Sequence, residues 1–110
     1  MEMGLKEEKI LLSEVFFSDD DTFALRVKDD GMTGAGIFPN DVVMVRRQNI
    51  AQMDEIIVAL VGSDKATLRW LRKRDDLYFL DAANEKHKSI QVDEDVSVIG
   101  KVIRVVRDFK

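Results

Sequence analysis

Short β-branched or aromatic runs broken by turn residues recur along most of this chain, and their spacing is that of an all-β domain with helix as a minor component. Residues 23–28 alternate, with Phe23, Leu25 and Val27 on one face and Ala24, Arg26 and Lys28 on the other, which predicts a half-buried strand. A turn at Pro39, Asn40 and Asp41 leads into an unbroken apolar run at 42–45, suited to a strand buried on both faces. A second such run, 56–61, is closed by Gly62, Ser63 and Asp64. Residues 66–71 alternate again and 77–80 follow a charged turn at 74–76, a pattern that predicts a hairpin. The remaining expected strands are 89–92, 96–99 and 101–106, with Gly100 as a bulge between the last two. Residues 7–17 fit either an amphipathic helix or an extended arm, and 18–21 (SDDD) a loop or a helix cap.

With 110 residues, 45% of them hydrophobic, the chain can bury one core but not two. One proline, six glycines and the lack of a Ser/Gly-rich linker give no internal boundary. No apolar run reaches the length of a membrane span, and the opening residues carry acidic groups, so neither a span nor a secretory signal is expected and the location expected is cytoplasmic. The absence of cysteine excludes disulfides, thiolate metal ligands and a cysteine nucleophile. A net charge of -4 opposes a phosphate backbone, so direct nucleic-acid binding is not expected.

Several local features admit a functional and a plain reading. The basic stretch 69–74 (RWLRKR), with Trp70 as a stacking group, resembles a nucleic-acid patch, yet Asp75 and Asp76 follow at once and favour a strand end with solvated charges. His87, the sole histidine, stands between Lys86 and Lys88 with no second His or Cys to complete a metal site, so it reads as a surface loop residue and no metal or other cofactor is expected. The five methionines read as core filler or terminus. Gly31, Gly34 and Gly36 lack the Lys-Ser or Lys-Thr pair that a phosphate loop needs.

Three blocks taken together carry a more specific signal: TFALRVKDDGMTGAGIFPNDVVMVRRQ, MDEIIVALV and ATLRWLRKR, with the ending VSVIGKVIRVVRDF. In this order they resemble the signature blocks of the LexA/UmuD-type serine-lysine self-cleaving peptidase domains, over roughly four fifths of the chain, residues 22–109. The resemblance implies a compact, mainly β fold of the β-ribbon or β-clip kind over residues 22–110. It also implies that residues 1–21 form an arm following the family's hinge position. In such domains a serine attacks the chain's own Ala-Gly hinge bond and a lysine on a neighbouring strand takes its proton.

Here the family's G-D-S-M stands as Asp29-Asp30-Gly31-Met32 and its A-T-V-K-R begins as Ala66-Thr67-Leu68-Arg69-Trp70. The resemblance therefore places Gly31 where the nucleophile would be and Arg69 where the base would be, with Met32 and Thr67 as their neighbours. A serine-lysine mechanism needs a hydroxyl and an amine able to shed its charge. Glycine has no side chain, and a guanidinium stays charged where a buried lysine does not. Thr33 and Ser63 are displaced from the position a hydroxyl would need. Read by itself, Gly31 is a turn glycine free to take positive φ.

The expectation is a pseudo-peptidase rather than an enzyme. By resemblance it is the dimerisation and regulatory module of a transcriptional repressor in the DNA-damage (SOS) response. Two alternatives remain: a UmuD-like accessory subunit of a translesion polymerase, and an active peptidase with a relocated nucleophile. The partners implied are a second copy, an active LexA-like protein, the RecA filament or a polymerase. The resemblance places the homodimer contact on the C-terminal strand, at Lys101, Val102, Ile103, Arg104, Val105 and Val106.

Overall fold

The computed structural model describes residues 15–18, 21–62 and 65–107. Eight strands run in chain order: β1 (Val15–Ser18), β2 (Thr22–Arg26), β3 (Val42–Arg47), β4 (Ile56–Val61), β5 (Lys65–Arg74), β6 (Leu77–Asp81), β7 (Ile90–Gln91) and β8 (Val96–Val106). A single 3-10 turn, Thr33–Ala35, is the only helical element among the described residues. The strands form one antiparallel sheet in the order β1-β2-β3-β8-β4-β5-β6-β7. The expectation of a mainly β fold with little helix is met.

The two unbroken apolar runs behave differently, and the sheet order gives the reason. β4 lies between β8 and β5. Its Val58 and Leu60 enter a core shared with Phe23, Leu25, Val43, Val45, Leu68 and Ile99. Its Ile57 and Ala59 enter a second core with Leu71 and Leu80 on the opposite face. Both faces of β4 are therefore buried, and a fully buried Ile or Val contributes about 1.5–3 kcal/mol. In β3 only Val43 and Val45 are fully buried, while Val42 and Met44 keep partial exposure, so burial on both faces does not hold there. β2 departs the other way: Ala24, expected on the solvent face, is only 2% exposed, whereas Arg26 is exposed as expected.

β5 and β6 form the expected hairpin. Arg74 pairs with Leu77, and the two residues between them, Asp75 and Asp76, both have positive φ (54° and 67°), the twist that matches a two-residue hairpin loop. Residues 96–106, expected as two strands, form one strand of eleven residues that bridges β3 and β4. Its pairing shifts beside Gly100 on the β4 side and between Arg104 and Val102 on the β3 side, so bulges keep it continuous where two strands were expected. A Cβ at Gly100 would collide with the Arg46 carbonyl and come within 2.6 Å of Val45 Cγ1, so β8 approaches β3 there as only glycine allows.

Of residues 7–17, the described part, beginning at Val15, belongs to β1, which pairs antiparallel with β2. The rest of that stretch lies outside the described residues, as does Ser63.

Candidate functional site

Gly31 and Arg69 come from distant parts of the chain and meet. Gly31 sits in the connection from β2 to the 3-10 turn, and Arg69 lies within β5, paired with Ile57 of β4. Met32, 1% exposed, anchors the connection in the first core, and Thr67 is buried two residues before Arg69 on β5. The segment after β6 holds the connection from the other side. Ala83 N donates to the Gly31 carbonyl (2.7 Å), Gly34 N donates to the Ala83 carbonyl (2.6 Å), and Asn84 Nδ2 donates to the Asp30 carbonyl (2.9 Å). A Cβ on Gly34 would collide with the Ala83 carbonyl, so this approach also depends on a glycine.

The Arg69 guanidinium lies directly over Gly31. A Cβ built on Gly31 would be 2.6 Å from Arg69 Cζ and 2.9 Å from Nη2, with Nη1 closer still. Gly31 does lie in a turn, but it is not among the positive-φ residues, so the turn there does not draw on the conformational freedom of glycine. The constraint at this position is space.

Arg69 is 5% exposed. Its Nη1 donates to the Leu68 carbonyl at 2.6 Å and lies 3.5 Å from Asp29 Oδ2. Its Nη2 lies 3.5 Å from His87 Nδ1, and its Nε has no hydrogen-bond partner among the described residues. Asp29 Oδ1 also accepts from Gly31 N at 3.0 Å, so one carboxylate bridges the glycine backbone and the guanidinium. His87 Nε2 stands 2.7 Å from Asp30 Oδ1. A guanidinium only donates, so in the Arg69–His87 contact Nδ1 is on the accepting side, while Nε2 faces Asp30. The hydrogen bond from His87 holds the Asp30 carboxyl below the usual carboxylate range.

His87 is therefore not the free surface residue the sequence suggests; its side chain is 30% exposed and joins this cluster. Sequence reasoning also missed Asp29, Asp30 and Asn84. The one available signal was the acidic pair immediately before Gly31, which a buried cation at 69 calls for. Thr33, the displaced hydroxyl, shares its Oγ1 with Asn84 Nδ2 at 3.3 Å. No group of His, Cys, Asp and Glu able to hold a metal ion occurs among the described residues. No helix among them is long and apolar enough to cross a membrane.

The basic stretch 69–74 is neutralised cation by cation: Arg69 by Asp29, Arg72 by Asp54, Lys73 by Asp76 at 3.9 Å and Arg74 by Asp81 at 2.6 Å. Arg72 also stacks over Trp70 (4.5 Å) and Arg74 over Phe79 (4.3 Å), which engages the aromatic faces a nucleobase would need.

A second Arg–Asp pair closes the opposite end of the same connection. Arg107 Nε donates to Asp41 Oδ1 (2.7 Å) and Nη2 to Asp41 Oδ2 (2.6 Å) and to the Gly36 carbonyl (2.7 Å), while Phe38 N donates to Asp41 Oδ2 (2.8 Å). The strand leading to Arg107 has an open side. β4 pairs with β8 only as far as Lys101, so from Val102 to Val106 β8 pairs with β3 alone among the described strands. Ile103, Val105 and Val106 are 40%, 38% and 44% exposed along it.

A family model described as Peptidase S24-like matches residues 2–103. Among curated proteins, the LexA repressor of Caldicellulosiruptor saccharolyticus is 42% identical over 92% of this chain and 49% of its own length. The LexA repressor of Bartonella quintana is 41% identical over 79% of this chain and 37% of its own, and that of Bacillus cytotoxicus 39% over 96% and 51%. The chain thus spans about half the length, or less, of these curated relatives.

Proposed function

The chain belongs to the peptidase S24-like family, and from that premise we propose that it is a catalytically silent LexA-like domain, the dimerisation and regulatory module of a cytoplasmic transcriptional repressor of the DNA-damage response. The observation that carries this reading is the Arg69 guanidinium lying over Gly31. Where a serine-lysine centre has a hydroxyl facing an amine, this chain has a bare backbone facing a permanent cation. Arginine cannot take up a proton from a nucleophile at any physiological pH, and no nucleophile stands at position 31 to give one. The nearby hydroxyl of Thr33 is engaged with Asn84.

Association is the activity left to such a domain. The open side of β8 offers unpaired backbone groups beside exposed Ile103, Val105 and Val106, a template for a second copy to add its own strand antiparallel across a two-fold axis. The same edge would let the chain pair with an active relative.

Two measurements test the reading. Added at alkaline pH to a LexA-type chain that carries the Ala-Gly hinge but an inactivated centre of its own, this chain should leave the hinge intact by mass spectrometry; a discrete fragment would overturn its silence. Sedimentation at tens of micromolar should show a dimer, and Ile103→Glu should convert it to a folded monomer. A wild-type chain that sediments only as monomer sinks the dimer.

A further inference from the structure

We infer that Asp29, Gly31 and Arg69 form one interlocked unit: Arg69 fills the volume of a side chain at position 31, and Asp29 is the positioning residue that keeps it there. This rests on the reading above only in calling the site a former catalytic centre; the interlock itself stands on distances. The backbone at Gly31 would admit any residue, and what excludes one is the guanidinium, three of whose atoms lie within 3.0 Å of a Cβ there. Arg69 has no easy retreat. It is buried, its Nη1 is fixed to the Leu68 carbonyl, and the connection carrying Gly31 is itself pinned to Ala83 and Asn84.

Two carboxylates could neutralise this cation, and the geometry separates them. Asp30 is engaged with His87 Nε2 at 2.7 Å rather than with Arg69. Asp29 holds Gly31 N with one oxygen and faces Arg69 Nη1 with the other, so it alone ties the glycine and the guanidinium together. A carboxylate is required at 29 because the cation at 69 is buried, and a glycine at 31 because the cation lies over it. A side chain at 31 and the guanidinium of Arg69 in its present place exclude each other.

The test is a thermal-melting cycle with an NMR readout on Arg69. Gly31→Ala should lower the Tm by at least about 5 °C, the cost of overpacking a closed site. In an Arg69→Ala background the same change should cost less than about 2 °C, because the obstructing group is gone. In the wild-type chain the Arg69 Nε–H should give a resolved, slowly exchanging signal. Asp29→Gly should erase that signal while the sheet amides stay in place, and Asp29→Glu should restore it in part. An equal Tm loss for Gly31→Ala in both backgrounds overturns the interlock, and an Arg69 signal unchanged in Asp29→Gly overturns the role of Asp29. Cleavage of the hinge-bearing chain by the wild-type protein would overturn its silence without touching either result, so the two failures are distinguishable.

Discussion

Arg69 with Asp29 and Arg107 with Asp41 are both Arg–Asp pairs at the connection between β2 and β3, and they are built in opposite senses. In the first the cation is buried, 5% exposed, and its carboxylate partner is about a third exposed. In the second the carboxylate is buried, 4% exposed, and the arginine reaches it from solvent. Both oxygens of Asp41 accept hydrogen bonds, two from Arg107 and one from Phe38 N, all at 2.6–2.8 Å. Arg69 has a single close bond, to the Leu68 carbonyl, while its ion-pair contact stretches to 3.5 Å and its Nε finds no partner among the described residues. A buried charge stabilises a fold only when its hydrogen-bonding capacity is met. The Asp41 pair meets that condition and ties the end of β8 to the start of β3. The Arg69 pair does not, and its effect is to occupy a place.

The comparison is most easily broken by deleting one member of each pair. Asp41→Ala should cost about 2–3 kcal/mol in denaturant melts, since Phe38 N and the Arg107 fork both lose their acceptor. Arg69→Met, which replaces an under-paired buried cation by apolar volume and leaves Asp29 to solvent, should change stability by less than about 1 kcal/mol or increase it. Equal losses in the two variants would erase the distinction.

A smaller effect sharpens it. The hydrogen bonds from Arg107 hold the Asp41 carboxyl below the usual carboxylate range. Its folded-state pKa is therefore lower than its unfolded one, and its contribution to stability is complete above roughly pH 4 and lost as the pH falls through the folded-state value. Asp30, Glu55 and Asp81 are depressed in the same direction, so the acid limb has several contributors. Asp41→Asn should make that limb shallower below about pH 4 without removing it. Parallel acid limbs for the two proteins would mean that Asp41 is not among the groups titrating there.

Much of the fold was legible because strands announce themselves locally. The alternation at 66–71 and the charged turn at 74–76 depend on neighbours in sequence, and the hairpin followed. The burial of Ala24 was not legible, because a small residue on the far face of an alternating strand is open or covered according to what the sheet places beside it. At the site, the matched blocks pointed to Gly31 and Arg69, but nothing local pointed to Asp29 as the counter-ion or His87 as the acceptor. Their partners lie 40 and 18 residues away, across β-topology that the residues themselves do not encode. The same holds for Asp41 and Arg107, 66 residues apart. The reason for Gly31 was misplaced for a related cause: conformational freedom is a property of one residue, whereas a collision needs the second residue in view.

The position of β8 bears on how this sheet comes to exist. It lies between β3 and β4, yet follows every other described strand in chain order. While the polypeptide emerges from the ribosome, β1 to β3 and β4 to β7 can pair only as two separate ribbons, each with an edge of unpaired backbone groups awaiting the strand that joins them. Assembly of the domain is thus delayed until the last of these segments is free of the exit tunnel, and the half-made ribbons are the species a chaperone would meet.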